Sequence, residues 1–162
     1  NNNIFVIGKT FGHLHQSALF EEVCGITDGP PPDVNLLNEK NNGLAILDMI
    51  NMNYLESVHD VSSGGIAISL AEMAINSRIG VKIQKPKINR NIYEYLFGED
   101  QGRYLIEVSN EKSEKLKKYL EDNNINYEFI GKTQEKNFEI VDNFNIDVNE
   151  LYNINNKWYY NF

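Results

Sequence analysis

The sequence predicts an α/β domain, and three observations carry that prediction. Short apolar runs of strand length alternate along the chain with stretches of helical periodicity. The breaks between them fall at glycines, prolines and asparagines, the residues that turns select. No repeat or low-complexity linker divides the chain, so residues 1–162 read as one domain, long enough to bury a real core.

Residues 4–8 form a short buried strand ended by Gly8, followed by a polar loop through Gly12. Ser17 is placed to cap a short helix over residues 18–24, with Gly25 as its stop. Gly29-Pro30-Pro31-Pro32 is a rigid connector, since proline can neither continue a helix nor donate to a sheet. Over residues 35–52, Leu36, Leu37, Leu44, Ile46, Leu47 and Ile50 recur at near-helical spacing and predict a long amphipathic helix. Residues 55–61 read as a strand carrying His59 and Asp60 to its end, and residues 66–76 as a helix apolar on nearly every face. Glu72 is the only charge in that helix; a buried carboxylate needs a partner, and a structural ion pair is favoured over catalysis.

Residues 81–84 predict a short strand, after which Pro86 breaks the chain. A short helix over residues 92–97 stops at Gly98, and residues 104–108 are strongly β-prone. Asn110 is placed to cap a helix to about residue 123, with Leu116, Tyr119 and Leu120 as its buried stripe. Glu111–Lys115 and Glu114–Lys118 are its i,i+4 pairs. Strands follow at residues 127–132 and 138–141. Asp147-Val148-Asn149-Glu150 then has the capping-box pattern that opens a terminal helix over residues 151–158.

The composition, 41% apolar and 23% charged, is that of a globular chain. A net charge of -8 and a pI near 4.9 argue against nucleic acid or an anionic membrane as the main partner. An anionic small ligand would need a metal or a local cluster of amides and basic groups. The apolar runs are too short to span a bilayer, and no basic-then-apolar leader opens the sequence. The single Cys24 excludes an intrachain disulfide, fits a reducing, cytoplasmic setting, and reads as a packed core thiol. A start at Asn1-Asn2-Asn3 running straight into a strand is what a domain of a longer polypeptide would show.

The chemistry concentrates in His59-Asp60-Val61-Ser62-Ser63-Gly64-Gly65, packed against the start of the apolar helix. One reading makes Asp60 a Mg²⁺ ligand, with Ser62 and the Gly64 and Gly65 amides holding a phosphate. The other makes the cluster a helix cap and a tight strand-to-helix turn. The pattern is neither a Walker A loop nor a dinucleotide fingerprint. A second cluster, Glu99-Asp100-Gln101-Gly102-Arg103, offers acceptors, an amide and a guanidinium in one turn, or else a solvated loop. His13 and His15, without a nearby acid or thiol, are a weak zinc signal.

Several segments together resemble one family. They are Gly12-x-x-x-x-Ser17, Glu21-Glu22, residues 29–36, the block from His59 to Ala67, Leu70-Ala71-Glu72-Met73-Ala74, residues 96–104 and Ile130-Gly131-Lys132. In order and spacing they are similar to the last domain of phosphoribosylformylglycinamidine synthase, within the aminoimidazole ribonucleotide (AIR) synthase-related superfamily. The resemblance implies a three-layer domain with a mixed sheet between helices, partly ferredoxin-like. It implies a ligase of two tandem halves that amidates formylglycinamide ribonucleotide with ATP and glutamine-derived ammonia. The partners would be preceding ATP-grasping domains and a glutamine amidotransferase; the cofactors would be Mg²⁺ and ATP or ADP. Asp60 would be the metal ligand of a non-catalytic nucleotide site with Ser62, Gly64 and Gly65. Glu99, Asp100, Gln101 and Arg103 would line the counterpart of a substrate pocket, and no residue here would make or break bonds. The isolated chain would be inactive. Two positions depart from the family pattern: Ser63 stands where Asp is usual and Asp100 where Ser is common. The alternatives are a non-catalytic assembly module, or the matching domain of another enzyme of the superfamily.

Overall fold

Strand β1 (Asn3–Ile7) is buried at all five positions, and its alternation assigns the two sides of the molecule. Ile4 and Val6 enter one apolar core while Phe5 and Ile7 enter another. A strand apolar on both faces belongs at the centre of a sheet covered on both sides, and β1 is paired on both edges. The computed structural model describes residues 1–84, 91–157 and 159.

Further along the chain come α1 (Leu36–Asn51), β2 (Ser57–Val61), α2 (Gly65–Ser77), β3 (Gly80–Ile83) and α3 (Ile92–Phe97). They are followed by β4 (Arg103–Val108), α4 (Asn110–Asp122), β5 (Tyr127–Gln134), β6 (Asn137–Ile140), β7 (Phe144–Asp147) and α5 (Val148–Asn156). The strands form one sheet in the order β2-β4-β1-β5-β3-β6-β7. Every pairing is antiparallel except β3 with β6, which is parallel. Residues of α1 and α4 build the core on the Phe5 side, and those of α2 and α3, with Val148 of α5, the core on the Ile4 side. This is the three-layer domain with a mixed central sheet.

Several expectations need correction. Helix α1 carries two apolar stripes, and the sheet takes the one spaced i, i+3, i+4, i+7: Asn42, Ala45, Ile46 and Met49. Of the six residues assigned to its apolar stripe only Ile46 is buried; Leu36, Leu37, Leu44, Leu47 and Ile50 are exposed. Asn42 is buried because its side chain donates to the Gly102 carbonyl at 2.9 Å, joining α1 to the turn before β4. Ser109, not Asn110, occupies the cap of α4, and Glu114 pairs with Lys117 at 2.7 Å. Leu116 and Leu120 are buried as expected, with Ser113, while Tyr119 is partly covered. Glu72 is exposed on α2, with His59 Nε2 3.4 Å away, and Cys24 is exposed. The segment Leu19–Cys24 is a π-helical turn in which Gly25 and Ile26 both donate to Phe20 O. Ser17 accepts from Phe20 N at 3.3 Å. Strand β7 had no expectation; only its pairing with β6 reveals it. Asp147 caps α5 by accepting from Asn149 N at 2.8 Å. The break at Pro86 and the helix end at Trp158 lie outside the described residues.

Candidate functional site

The β2–β4 pairing brings the two polar clusters together. Asp60 sits opposite Tyr104 and Val61 opposite Arg103, so the end of β2 lies beside the turn that starts β4. Between them is a cavity of about 340 Å³, bordered by Asp60, Ser62, Ser63, Glu99, Gln101 and Glu39 of α1. A second cavity, of about 320 Å³, lies next to it against Lys9, Phe11, His13, Asn42 and Asp100, and Glu39 and Gln101 border both.

The two clusters use their polar groups differently. On the second, nearly every group has a partner inside the fold. Glu99 Oε1 accepts from Gly64 N and from Ala18 N, both at 2.7 Å, which fixes the glycine turn against the loop preceding the π-helical turn. Asp100, 5% exposed, accepts from three successive amides: Phe11 N at 2.8 Å, Gly12 N at 2.9 Å and His13 N at 3.2 Å. Gly12 makes that turn possible: its φ is +85°, and a Cβ there would stand 2.8 Å from Glu94 Cβ. Arg103 is 1% exposed and donates to Gly98 O at 2.6 Å, Asp100 O at 3.1 Å and Thr10 Oγ1 at 3.2 Å. Its Nη1 is 3.6 Å from Asp100 Oδ2. Burial pulls the guanidinium below its ordinary pKa, and the neighbouring Asp100, then Tyr95 and Glu99, act the other way. Gln101 alone of this group is exposed.

The Asp60 cluster is open by contrast. The Asp60 side chain is 69% exposed, and among the described residues its ion-pair partner is His59, Nδ1 to Oδ1 at 3.7 Å. His59 also has Nδ1 2.6 Å from the Asp60 carbonyl. Ser62 and Ser63 are exposed. Gly64 and Gly65 are buried, with φ of +79° and +65°, and both amides have protein partners: Gly64 N donates to Glu99 and Gly65 N to Ser62 O at 3.1 Å. A Cβ on Gly65 would meet Gly98 O at 2.7 Å, so the glycine here lets α2 pack against the end of α3.

His13 and His15 each turn a ring nitrogen to a backbone carbonyl of the connector, Pro30 O at 2.9 Å and Asp28 O at 3.2 Å. Among the described residues no group of three or more His, Cys, Asp or Glu is arranged to hold a metal by itself, and no helix is long and apolar enough to cross a membrane. Sequence reasoning passed over Asn42 and Glu39. A polar residue on an otherwise apolar helical stripe was the signal for Asn42; nothing marked Glu39.

With the geometry in place, comparison with known proteins assigns the lineage. Residues 1–143 match the family described as AIR synthase related protein, C-terminal domain. The chain belongs to this family. It is 41% identical over all 162 residues to the phosphoribosylformylglycinamidine synthase subunit PurL of Pelagibacter ubique, covering 22% of that protein. It is 36% identical over 159 residues to the subunit of that name from Bartonella bacilliformis, covering 98% of this chain and 21% of that one. The chain thus spans about a fifth of the length of these curated relatives. Among solved structures, Thermotoga maritima PurL complexed with FGAR superposes on 93% of the chain and 27% of its own, with TM-score 0.77 and 16% identity. A HypE–HypF complex covers 90% of this chain and 52% of its own at TM-score 0.59 and 18% identity. These likenesses establish the fold.

Proposed function

We propose that this chain is the C-terminal domain of the second half of a phosphoribosylformylglycinamidine synthase, the ligase that amidates formylglycinamide ribonucleotide with ATP and glutamine-derived ammonia. The single observation that carries the proposal is 41% identity along the whole length of the chain to a subunit bearing that name. Residues 1–162 form one domain of this enzyme, inactive alone and working in the cytoplasm with ATP-grasping domains and an ammonia-supplying amidotransferase. A Thermotoga maritima complex named PurLQS supports the existence of such assemblies in the family.

Within the domain, the Asp60 cavity is the non-catalytic nucleotide site. Mg²⁺ binds proteins through one or two carboxylates, completing its shell with water and phosphate oxygens. Asp60 fits that requirement: it is a hard oxygen donor, open at the cavity, and pairs with no lysine or arginine among the described residues. Bound there, the ion would neutralise phosphate charge. Ser62, exposed on the same rim, is the hydroxyl available to a phosphate. Gly64 and Gly65 contribute by shaping the turn, their amides having protein partners. Glu99 and Arg103 belong to the cavity's wall, Asp100 borders the neighbouring cavity, and Gln101 is the exposed member of that turn, open to both.

A second reading, a purely structural assembly module, is favoured by the internal partners of Glu99, Asp100 and Arg103. Asp60→Ala in the full-length enzyme separates the two. The nucleotide reading expects loss of co-purifying or titrated Mg·ADP with the unfolding midpoint little changed. Undiminished nucleotide content would leave the structural reading standing.

A further inference from the structure

The amides of Phe11, Gly12 and His13 point at one spot, and the group they meet is the carboxylate of Asp100. Successive backbone N–H groups converging around a left-handed glycine make an anion-binding concavity, the arrangement that holds phosphate in many proteins. Here the anion is part of the chain. The spot also has a cation: Arg103 Nη1 is 3.6 Å from Asp100 Oδ2, and Arg103 is all but removed from solvent. A cavity of about 320 Å³ with Lys9 on its border adjoins Asp100.

We infer that the loop of Phe11, Gly12 and His13 is an oxyanion site of phosphate class that Asp100 fills from within. The carboxylate supplies the charge that three amides and a buried guanidinium demand, and it keeps the concavity shut to a diffusible anion. The hydroxymethyl group of a serine in place of Asp100 would be shorter and uncharged. It would leave the amides without their acceptor and Arg103 without its nearest counter-charge, both costly in a buried setting. A free phosphate entering from the adjoining cavity would then satisfy both. The inference concerns the loop alone and does not depend on whether the Asp60 cavity takes a nucleotide.

Hydrogen exchange read on peptides spanning residues 9–18, in the full-length enzyme, tests it. The probe is inorganic phosphate against chloride at equal ionic strength. Wild type is expected to show slow exchange at residues 11–13, unaltered by phosphate. Asp100→Ser should exchange there at least about tenfold faster in chloride and regain protection in phosphate. Should Asp100→Ser unfold, Asp100→Ala, which vacates the same space, must show the same phosphate-specific protection. Fast exchange of residues 11–13 in wild type, added protection of wild type by phosphate, or variant loops indifferent to phosphate would each overturn the inference. Exchange at residues 58–66, around Asp60, serves as a separate readout, so failure at one cavity is not mistaken for failure at the other.

Discussion

The turn of residues 99–103 and the rim of Asp60, Ser62 and Ser63 border one cavity, yet their polar groups have opposite fates. In the turn, two carboxylates and a guanidinium are committed to backbone groups of the Gly98 turn, the Gly64 turn and the loop of residues 10–18. On the rim, a carboxylate and two hydroxyls are left toward solvent. The difference teaches where a ligand can be recognised: buried polar groups must be satisfied by the fold itself, so only unsatisfied ones are available to anything else.

Breaking the turn should therefore cost far more stability than breaking the rim. Arg103→Met removes three hydrogen bonds and strands the buried Asp100, and is expected to destabilise by about 3–5 kcal/mol; Arg103→Lys should not restore it, because one ammonium cannot reproduce the fork of donors. Denaturant midpoints of both variants check this, and a loss below ~1 kcal/mol would dissolve the contrast. Glu99→Ala orphans the Gly64 and Ala18 amides and should cost about 2–3 kcal/mol in the same assay. Glu99→Gln, which retains an acceptor oxygen, should recover part of that loss. On the rim, Asp60→Asn is expected within ~0.5 kcal/mol of wild type, while Mg²⁺-dependent nucleotide binding by the full-length enzyme weakens. Gln101→Ala, at the exposed junction of the two cavities, should change stability least. A midpoint shift as large as that of Glu99→Ala would mean that the turn has no open member.

Much of this was legible in advance. Strand β1, helix α3 and the Asp147 cap follow from contiguous runs and local side-chain chemistry, and they stand close to where the sequence places them. What depends on distant partners was not legible. The stripe of α1 was misread because two apolar faces share one helix, and only the sheet decides which is covered. Cys24 and Glu72 were assigned to the interior from their apolar neighbours, yet both sit on outward-facing positions. The candidate site was legible as two polar clusters around glycines. That one of them would be consumed as wall was not, since the loop amides that Asp100 accepts lie 87 to 89 residues away in sequence.

By itself the sequence determined the alternation of strands and helices over most of the chain, the tight turn at Gly64 and Gly65, and the two polar clusters of the candidate site. Those are local properties, set by side-chain periodicity and steric freedom within a few residues. The tertiary structure decided the strand order, the buried face of α1 and the division of labour across the cavity. Each of these is a competition among distant groups for burial and hydrogen bonds, and a carboxylate is wall or ligand site according to which amides the fold delivers to it.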